Sequence, residues 1–513
     1  MNERTMKNKV LAMLLGFCFL LALSGGFNPS SSARNTGAGY GSQTRRRTPE
    51  SLSVTERIKR VENGLLPPFV VKGQPGVQMK LADRMNFYKT PGISIAVIDN
   101  GRIEWARGYG VRETGGSEAV TPETLFQAAS ISKPVAAVAA LRLVQQGKLD
   151  IDEDVNRSLT SWKVPENEFT SARKVTLRGL LSHSAGLTVH GFAGYAPDAP
   201  TPTLSQVLEG VKPANSKPIR VDIPPGTRNR YAGGGYVVLQ QLLLDVTGKQ
   251  FPVFMRATVT NRIGMTSSTY EQPLPKGRWS QAAIGHKSNG EKVKGNWHTY
   301  PEMAAAGLWT TPGDLARFAI EIQRSLAGKS NRVLSQKMAR QMLTPQVGDS
   351  GLGFGLPGKE PSARFSHGGA NEGYRCLLVA YKSTGQGAVV MTNSDSGSSL
   401  ADEVLRSIAR EYGWVDYLSK EKVLAQVDPK IYGSYAGQYE LAPNRILTIT
   451  AEEGKLMAQP TGQPKLELFP ESETQFFPLS PAVEITFVKD DKGQVIHLIL
   501  RQLGQDITAK KIK

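Results

Sequence analysis

Serine followed three residues later by lysine occurs at Ser130/Lys133, Ser171/Lys174 and Ser419/Lys422. On a helix that spacing puts both side chains on one face, so the amine can reach the hydroxyl and take its proton. The chemistry this serves is acyl transfer through a serine ester. Ser171 and Ser419 lie in charged stretches and read as solvated surface. Ser130 instead opens a segment, Ser132–Gln146, that is almost wholly apolar from Val135 to Val144 and ends at Gly147. A helix apolar on every side must be buried. A serine in its first turn sits where backbone N–H groups and the positive end of the helix dipole favour an oxyanion.

Other chemistries find less support. Cys376 sits in the apolar run Cys376-Leu377-Leu378-Val379-Ala380 and reads as a packed thiol, not a nucleophile. His190, His286, His298 and His497 have no metal-ligand spacing, and His183 reads as a loop-fixing hydrogen-bonder, so no metal and no cofactor are expected. Gly348-Asp349-Ser350-Gly351 reads as a turn. No Gly-x-Ser-x-Gly elbow and no phosphate-binding loop occur.

Phe126-Gln127-Ala128-Ala129-Ser130-Ile131-Ser132-Lys133 resembles the nucleophile motif of the superfamily of class C β-lactamases, penicillin-binding proteins and related esterases. In the same order follow Leu180–Leu187, Tyr231-Ala232-Gly233-Gly234-Gly235-Tyr236, Ala306–Thr311 and His367-Gly368-Gly369, each similar to a segment of that family. The resemblance implies that Ser130 is acylated and that its proton passes through Lys133 and Tyr231. It also implies an oxyanion hole from the N–H groups of Ser130 and Ala370, with Gly368 and Gly369 letting substrate backbone lie along their strand. Lowering a tyrosine pKa from about 10 to 7 costs roughly 4 kcal/mol. One lysine charge about 4 Å away, at an effective dielectric near 20, supplies a similar amount. Burial can instead depress the lysine, so Lys133 and Tyr231 stand as one coupled pair. His367 occupies the family's usual lysine position, where a histidine implies a weaker, pH-dependent positive charge for a substrate carboxylate. Gly233 stands where the family often has asparagine. Both departures disfavour β-lactams and favour esters or D-amino-acid peptides and amides.

These residues need a scaffold. Ile93, Ile95 and Val97 alternate up to Asp99-Asn100-Gly101, and Ile103 and Trp105 resume the pattern, which predicts an antiparallel hairpin. Helices are expected over Val237–Thr247 and Pro312–Leu326, and a second strand pair over Arg375–Tyr381 and Gly387–Asn393. The expected fold is therefore α+β, of the β-lactamase/transpeptidase-like kind. It is an antiparallel sheet flanked by helices, closed by N- and C-terminal strands, with a helical subdomain. Residues 53–415 form this domain, and 416–428 a linker. From 429 to 513, seven short alternating runs between Tyr435 and Gln502 predict a small all-β barrel-like domain, similar to the lipocalin-like modules appended to such hydrolases.

At the N-terminus Arg4, Lys7 and Lys9 precede an apolar run from Val10 to Leu23 and the small-residue stretch Ala22-Leu23-Ser24. That is the layout of a signal peptide over residues 1–24, with an uncleaved anchor as the alternative. Residues 25–52, rich in Ser, Asn, Gly and Arg, read as a disordered linker. Export to the periplasm or cell envelope, and possible secretion, follow as expectations. The net charge of +17 falls to about +15 without residues 1–9, a surface suited to anionic envelope material. No nucleic-acid-binding pattern accompanies it. The expected partner is a small-molecule or peptide substrate with a carbonyl centre, with cell-wall material as a further candidate. Membrane contact is expected only through an uncleaved N-terminal segment. A non-catalytic envelope-binding protein that keeps an inherited cleft is the alternative function.

Overall fold

The computed structural model describes residues 53–502 and 505–513; the expected signal peptide and linker lie outside them. The first described helix, α1 (Val54–Glu62), starts at a capping box between Ser53 and Glu56. It leads to strand β1 (Phe69–Val71) and helix α2 (Leu81–Phe87). The predicted hairpin follows as β2 (Gly92–Asp99) and β3 (Arg102–Gly110), turned by Asn100 and Gly101, both at positive φ.

Short strands β4 (Phe126–Gln127) and β5 (Trp309–Thr310) pair with each other. Strands β6 (Arg364–Asn371), β7 (Tyr374–Tyr381) and β8 (Gly387–Thr392) join the hairpin in one antiparallel sheet of order β3-β2-β8-β7-β6. The sheet is therefore completed by strands from both ends of the domain, as its pattern predicts, and β6 lies at an edge.

One face of the sheet packs on the largest core, which holds helix α3 (Ser132–Gln145), helix α4 (Gly233–Thr247), the one-turn α5 (Met303–Ala306) and α6 (Pro312–Leu326). Helix α3 is buried from Ser132 through Leu141, as an all-apolar helix must be. Its Pro134 is tolerated because the first turn needs no intrahelical donor there. The other face carries a second core shared with α1, α2 and α7 (Gly397–Glu411). Helix α7 is amphipathic, with Leu400, Val404 and Ile408 turned to the sheet.

After β9 (Lys420–Lys422), which pairs in parallel with β1, the one-turn helix α8 (Tyr432–Tyr435) leads into a closed barrel. Its strands are β10 (Gly437–Ala442), β11 (Arg445–Glu452), β12 (Lys455–Pro460), β13 (Leu466–Pro470), β14 (Gln475–Phe477), β15 (Val483–Lys489), β16 (Val495–Gln502) and β17 (Gln505–Lys511). Seven strands were expected and eight are present. The eighth, β17, closes the ring against β10. Tyr435, expected to open the first strand, belongs to α8. Its ring stacks 4.4 Å from Phe487 and its hydroxyl donates to the Glu473 carbonyl at 2.6 Å. With Tyr439, Phe476 and Leu498 it fills the interior, so the barrel is packed with its own side chains.

The barrel docks against the second core, away from α3. Glu403 on α7 is fully buried and takes two hydrogen bonds from Arg84 at 2.8 and 2.7 Å. It also accepts from Tyr88 at 2.7 Å and from Ser480, on the barrel's β14–β15 loop, at 2.8 Å. Phe69 meets Phe477 edge to face at 5.5 Å, and Lys422 pairs with Glu471 and Glu484. Among the described residues no helix is long and apolar enough to cross a membrane.

Candidate active site

Ser130 sits in a 3-10 turn, Ala129–Ile131, that runs straight into α3. The turn is held from several sides. Ser132 Oγ donates to Ala129 O at 2.5 Å and accepts from Leu308 N at 3.0 Å, and Ala128 N donates to Leu308 O. Ala129 has φ of +50°, a left-handed conformation that costs an alanine of order 1 kcal/mol and persists only where neighbours enforce it. The result is a serine that is 7% exposed at the head of a buried helix.

Lys133 lies below it, 2% exposed, with Nζ donating to Ser130 Oγ at 2.9 Å and to Ala305 O at 2.8 Å. Both acceptors are neutral. Burial without a counter-charge pushes the amine down from 10.5 to about 7. Buried Glu302, the residue before α5, is itself pushed up to about 8 by burial and so is largely neutral at pH 7.

Tyr231 completes the contact. Its phenol lies near the Ser130 hydroxyl, which slightly offsets the effect of burial on it, and Lys133 Nζ lies 5.0 Å from the ring centre. Burial holds the phenol well above its usual 10, so it stays protonated. The two members of the coupled pair are therefore driven in opposite senses. The lysine is poised to lose a proton near neutrality and the tyrosine to keep one.

His183, on the loop after the Leu177–Leu181 helix, adopts φ of +57° and accepts a hydrogen bond from Ala232 N at Nδ1, 3.2 Å away. Its carbonyl accepts from Arg230 N, and its ring lies 4.2 Å from that of Tyr231. The loop-fixing role expected of it is thus performed on the Tyr231 segment. His190, read from the sequence only as lacking metal-ligand spacing, stands with its ring 4.9 Å from that of Tyr231. Its loop packs closely on Gly233. A Cβ on Gly233 would stand 3.0 Å from His190 O and from the Phe192 ring, so glycine gives that loop room it would otherwise have to make by shifting a few tenths of an ångström. The position where the family carries an amide is filled by His190–Phe192. No spacing rule in the sequence links residues 190 and 231.

His367, Gly368, Gly369 and Ala370 lie on edge strand β6, which packs against the Ser130 turn. Ser366 exchanges both backbone hydrogen bonds with Gly355, outside the sheet. Alternation along β6, which runs without a register shift, turns the N–H of Ala370 outward as well. That orientation suits an oxyanion donor. Two expectations need correction. A Cβ on Gly369 would stand 2.2 Å from Ala128 O, so this glycine accommodates the nucleophile's own turn and not a substrate. His367 is 3% exposed, and burial together with the Lys133 charge pushes its imidazole down to about 3, so it carries no positive charge at ordinary pH. Its Nδ1 contacts Gly368 O at 2.7 Å and its ring is 6.3 Å from Tyr231.

Asn371 ties the strand to the turn from behind, donating to Gln127 Oε1 at 2.7 Å and Ala306 O at 3.1 Å. Cys376, paired with Gly369 across the sheet, donates to Gln127 O, and burial pushes its thiol up to about 12. It is packing, as read from its apolar surroundings. Among the described residues no cluster of three or more His, Cys, Asp or Glu could hold a metal ion.

The family model described as Beta-lactamase matches residues 77–411, and that of a domain of unknown function, DUF3471, matches 421–512. Penicillin-binding protein 4* of Bacillus subtilis is 23% identical over 442 residues, covering 82% of this chain and 95% of its own. The octameric penicillin-binding protein homologue from Pyrococcus abyssi superimposes with a TM-score of 0.57 at 21% identity, covering 84% of this chain and 98% of its own. The D-amino acid amidase of Ochrobactrum anthropi SV3, solved with L-phenylalanine amide, does so with a TM-score of 0.52 at 20% identity, over 64% and 96%.

Proposed function

The chain belongs to the beta-lactamase family of serine hydrolases, and we propose that it cleaves a carboxylic ester or a D-amino-acid peptide or amide through an acyl-enzyme on Ser130. The observation that carries this reading is the buried, counter-ion-free Lys133 amine 2.9 Å from Ser130 Oγ with its pKa at about 7. A base with that pKa is half unprotonated at neutral pH, where general-base catalysis is most effective.

Ser130 Oγ attacks the carbonyl carbon as its proton moves to Lys133. The N–H groups of Ser130 and Ala370 receive the negative oxygen, within a water-poor site where such donors are strongest. Collapse breaks the bond to the leaving group, which takes a proton from Tyr231, and Lys133 restores it. Water then cleaves the acyl-enzyme by the same steps in reverse order. The protonated phenol fits a donor and relay, and the depressed lysine fits the base.

Neutral His367 offers no charge to a substrate carboxylate, which favours uncharged acyl groups over β-lactams. The likeness to an enzyme called a D-amino acid amidase agrees with that preference. The basic start and apolar run of residues 4–23 support export to the cell envelope, where anionic wall material would meet the cationic surface.

The full chain, assayed on a short-chain nitrophenyl ester, a chromogenic cephalosporin and a D-alanyl dipeptide, tests the proposal. The ester or the dipeptide should turn over, the cephalosporin least, and Ser130→Ala should remove all turnover. Equal rates for wild type and Ser130→Ala would overturn it. Retention on cell-wall material with no turnover of any substrate would favour the binding-protein alternative.

A further inference from the structure

Arg142, in the last turn of α3, and Arg262, on the short helix Asn261–Ile263, bring their guanidinium groups to one carbonyl. Arg142 Nη1 donates to Arg332 O at 3.3 Å and to Val333 O at 2.9 Å, and Arg262 Nη1 donates to Arg332 O at 3.4 Å. Two positive charges therefore stand side by side. Neighbouring carboxylates are engaged elsewhere: Asp314 with Arg317, Glu271 with Arg256, and Glu321 with the hydroxyls of Ser325 and Ser330. Among the described residues no carboxylate pairs with either arginine. Partial burial and the Arg262 charge hold Arg142 below the usual arginine range.

The shared carbonyl belongs to the loop that follows α6. From Ile322 to Gly348 the chain has no Asp or Glu but five cations, Arg324, Lys329, Arg332, Lys337 and Arg340, all of them exposed. The loop is braced from beneath. Ser330 Oγ donates to Glu321 at 2.7 Å, Ser335 N to Gln145 Oε1 at 2.7 Å and Gln336 Nε2 to Leu326 O at 3.1 Å, while Val333 and Leu334 are buried. Lys329 and Arg332 are thus carried on the same fixed backbone that gathers the arginine pair. Like charges held together raise the energy of the free protein, and an anion between them removes that cost. Helix α3 has 14 residues, so at 1.5 Å per residue the cluster lies about 20 Å along it from Ser130. The barrel, docked on the other face of the sheet, leaves this surface open.

We infer that Arg142, Arg262, Arg332 and Lys329 form a docking surface for an anionic polymer that carries phosphodiester groups. Guanidinium forks match phosphate oxygens two at a time, and cations spread along one loop engage successive phosphates. The loop exposes Ala327, Gly328, Lys329, Asn331 and Arg332, with no bulky apolar side chain to enter a bilayer, which favours a soluble polymer over a membrane surface. The surface would hold the enzyme to such a polymer with its catalytic serine free, and it stands apart from the acyl-enzyme reading of Ser130.

Fluorescence anisotropy with labelled poly(glycerol phosphate) tests it in the full chain, beside polygalacturonate as a carboxylate polymer and anionic phospholipid vesicles. Wild type should bind the phosphate polymer most tightly and weaken by about tenfold or more between about 50 and 200 mM salt. Lys329→Gln with Arg332→Gln, and separately Arg262→Gln, should each weaken it by about tenfold or more, as loss of charge-assisted contacts requires. Lys72→Gln with Lys80→Gln, which removes two exposed charges on other elements, should stay within about twofold. The side chains of Lys329 and Arg332 brace nothing, so that pair should keep the wild-type urea midpoint and separates lost binding from lost folding. Equal weakening by the control pair, equal or tighter binding of polygalacturonate or of the vesicles, or no binding of the phosphate polymer would overturn the inference.

Discussion

Replacing Lys133 with methionine should abolish turnover yet stabilise the fold at pH 7 and destabilise it at pH 10. The unfolded amine keeps its proton up to about pH 10.5, whereas the folded one releases it at about 7. Between those values folding expels a proton, so the lysine's cost to stability is greatest below pH 7 and disappears as pH rises towards 10.5. The cost is about 4 kcal/mol at pH 7 and about 1 kcal/mol at pH 10. Methionine removes it but also removes the hydrogen bonds to Ser130 Oγ and Ala305 O, worth about 1 kcal/mol each. The variant should therefore gain about 2 kcal/mol at pH 7 and lose about 1 at pH 10, with the curves crossing near about pH 9. Urea unfolding followed by tryptophan fluorescence measures this, because all six tryptophans, from Trp105 to Trp414, precede the barrel. A variant less stable than wild type at both pH values would show that the lysine is not held neutral, and the mechanism would lose its base.

Three further outcomes follow from the same geometry. The value of kcat/KM for an ester should fall about tenfold per pH unit below the Lys133 pKa of about 7 and level off above it; a flat profile from pH 5 to 8 would contradict the assignment. Gly369→Ala should reduce kcat/KM by about a hundredfold or more, because its Cβ must push the Ser130 turn off Ala128 O, and unchanged kinetics would refute that contact. Glu403→Leu should cost about 3–5 kcal/mol by stranding the mostly buried Arg84 charge, and should expose the barrel's attachment to limited proteolysis; an unchanged cleavage pattern would mean the clasp does not hold the two parts together.

The elements that place the nucleophile were legible because each is signalled locally. Asn100-Gly101 announces the hairpin, and the unbroken apolar run after Ser132 announces a buried helix. The order of Ser130, Lys133, Tyr231 and His367 announces the chemistry through family likeness. What escaped depends on contacts between distant residues. The charge state of His367 is set by burial and by Lys133, more than two hundred positions away. His190 lies beside Tyr231 on a loop that packs closely against Gly233, a contact between distant residues. Strand β17 carries only Ile507 and Ala509 as apolar residues, too few to mark a strand until its pairing with β10 and β16 is seen. The buried clasp of Arg84, Glu403 and Ser480 joins three separate segments, none of which signals the others.

Trapping the acyl-enzyme tests the central claim most directly. The full chain would be quenched in acid within seconds of mixing with a fluorescent penicillin or an activated ester, digested, and read by mass spectrometry. The acyl group should be found on the peptide containing Ser130, and no peptide of the Ser130→Ala protein should carry it. An adduct on any other residue, or an equal one in the variant, would contradict the account.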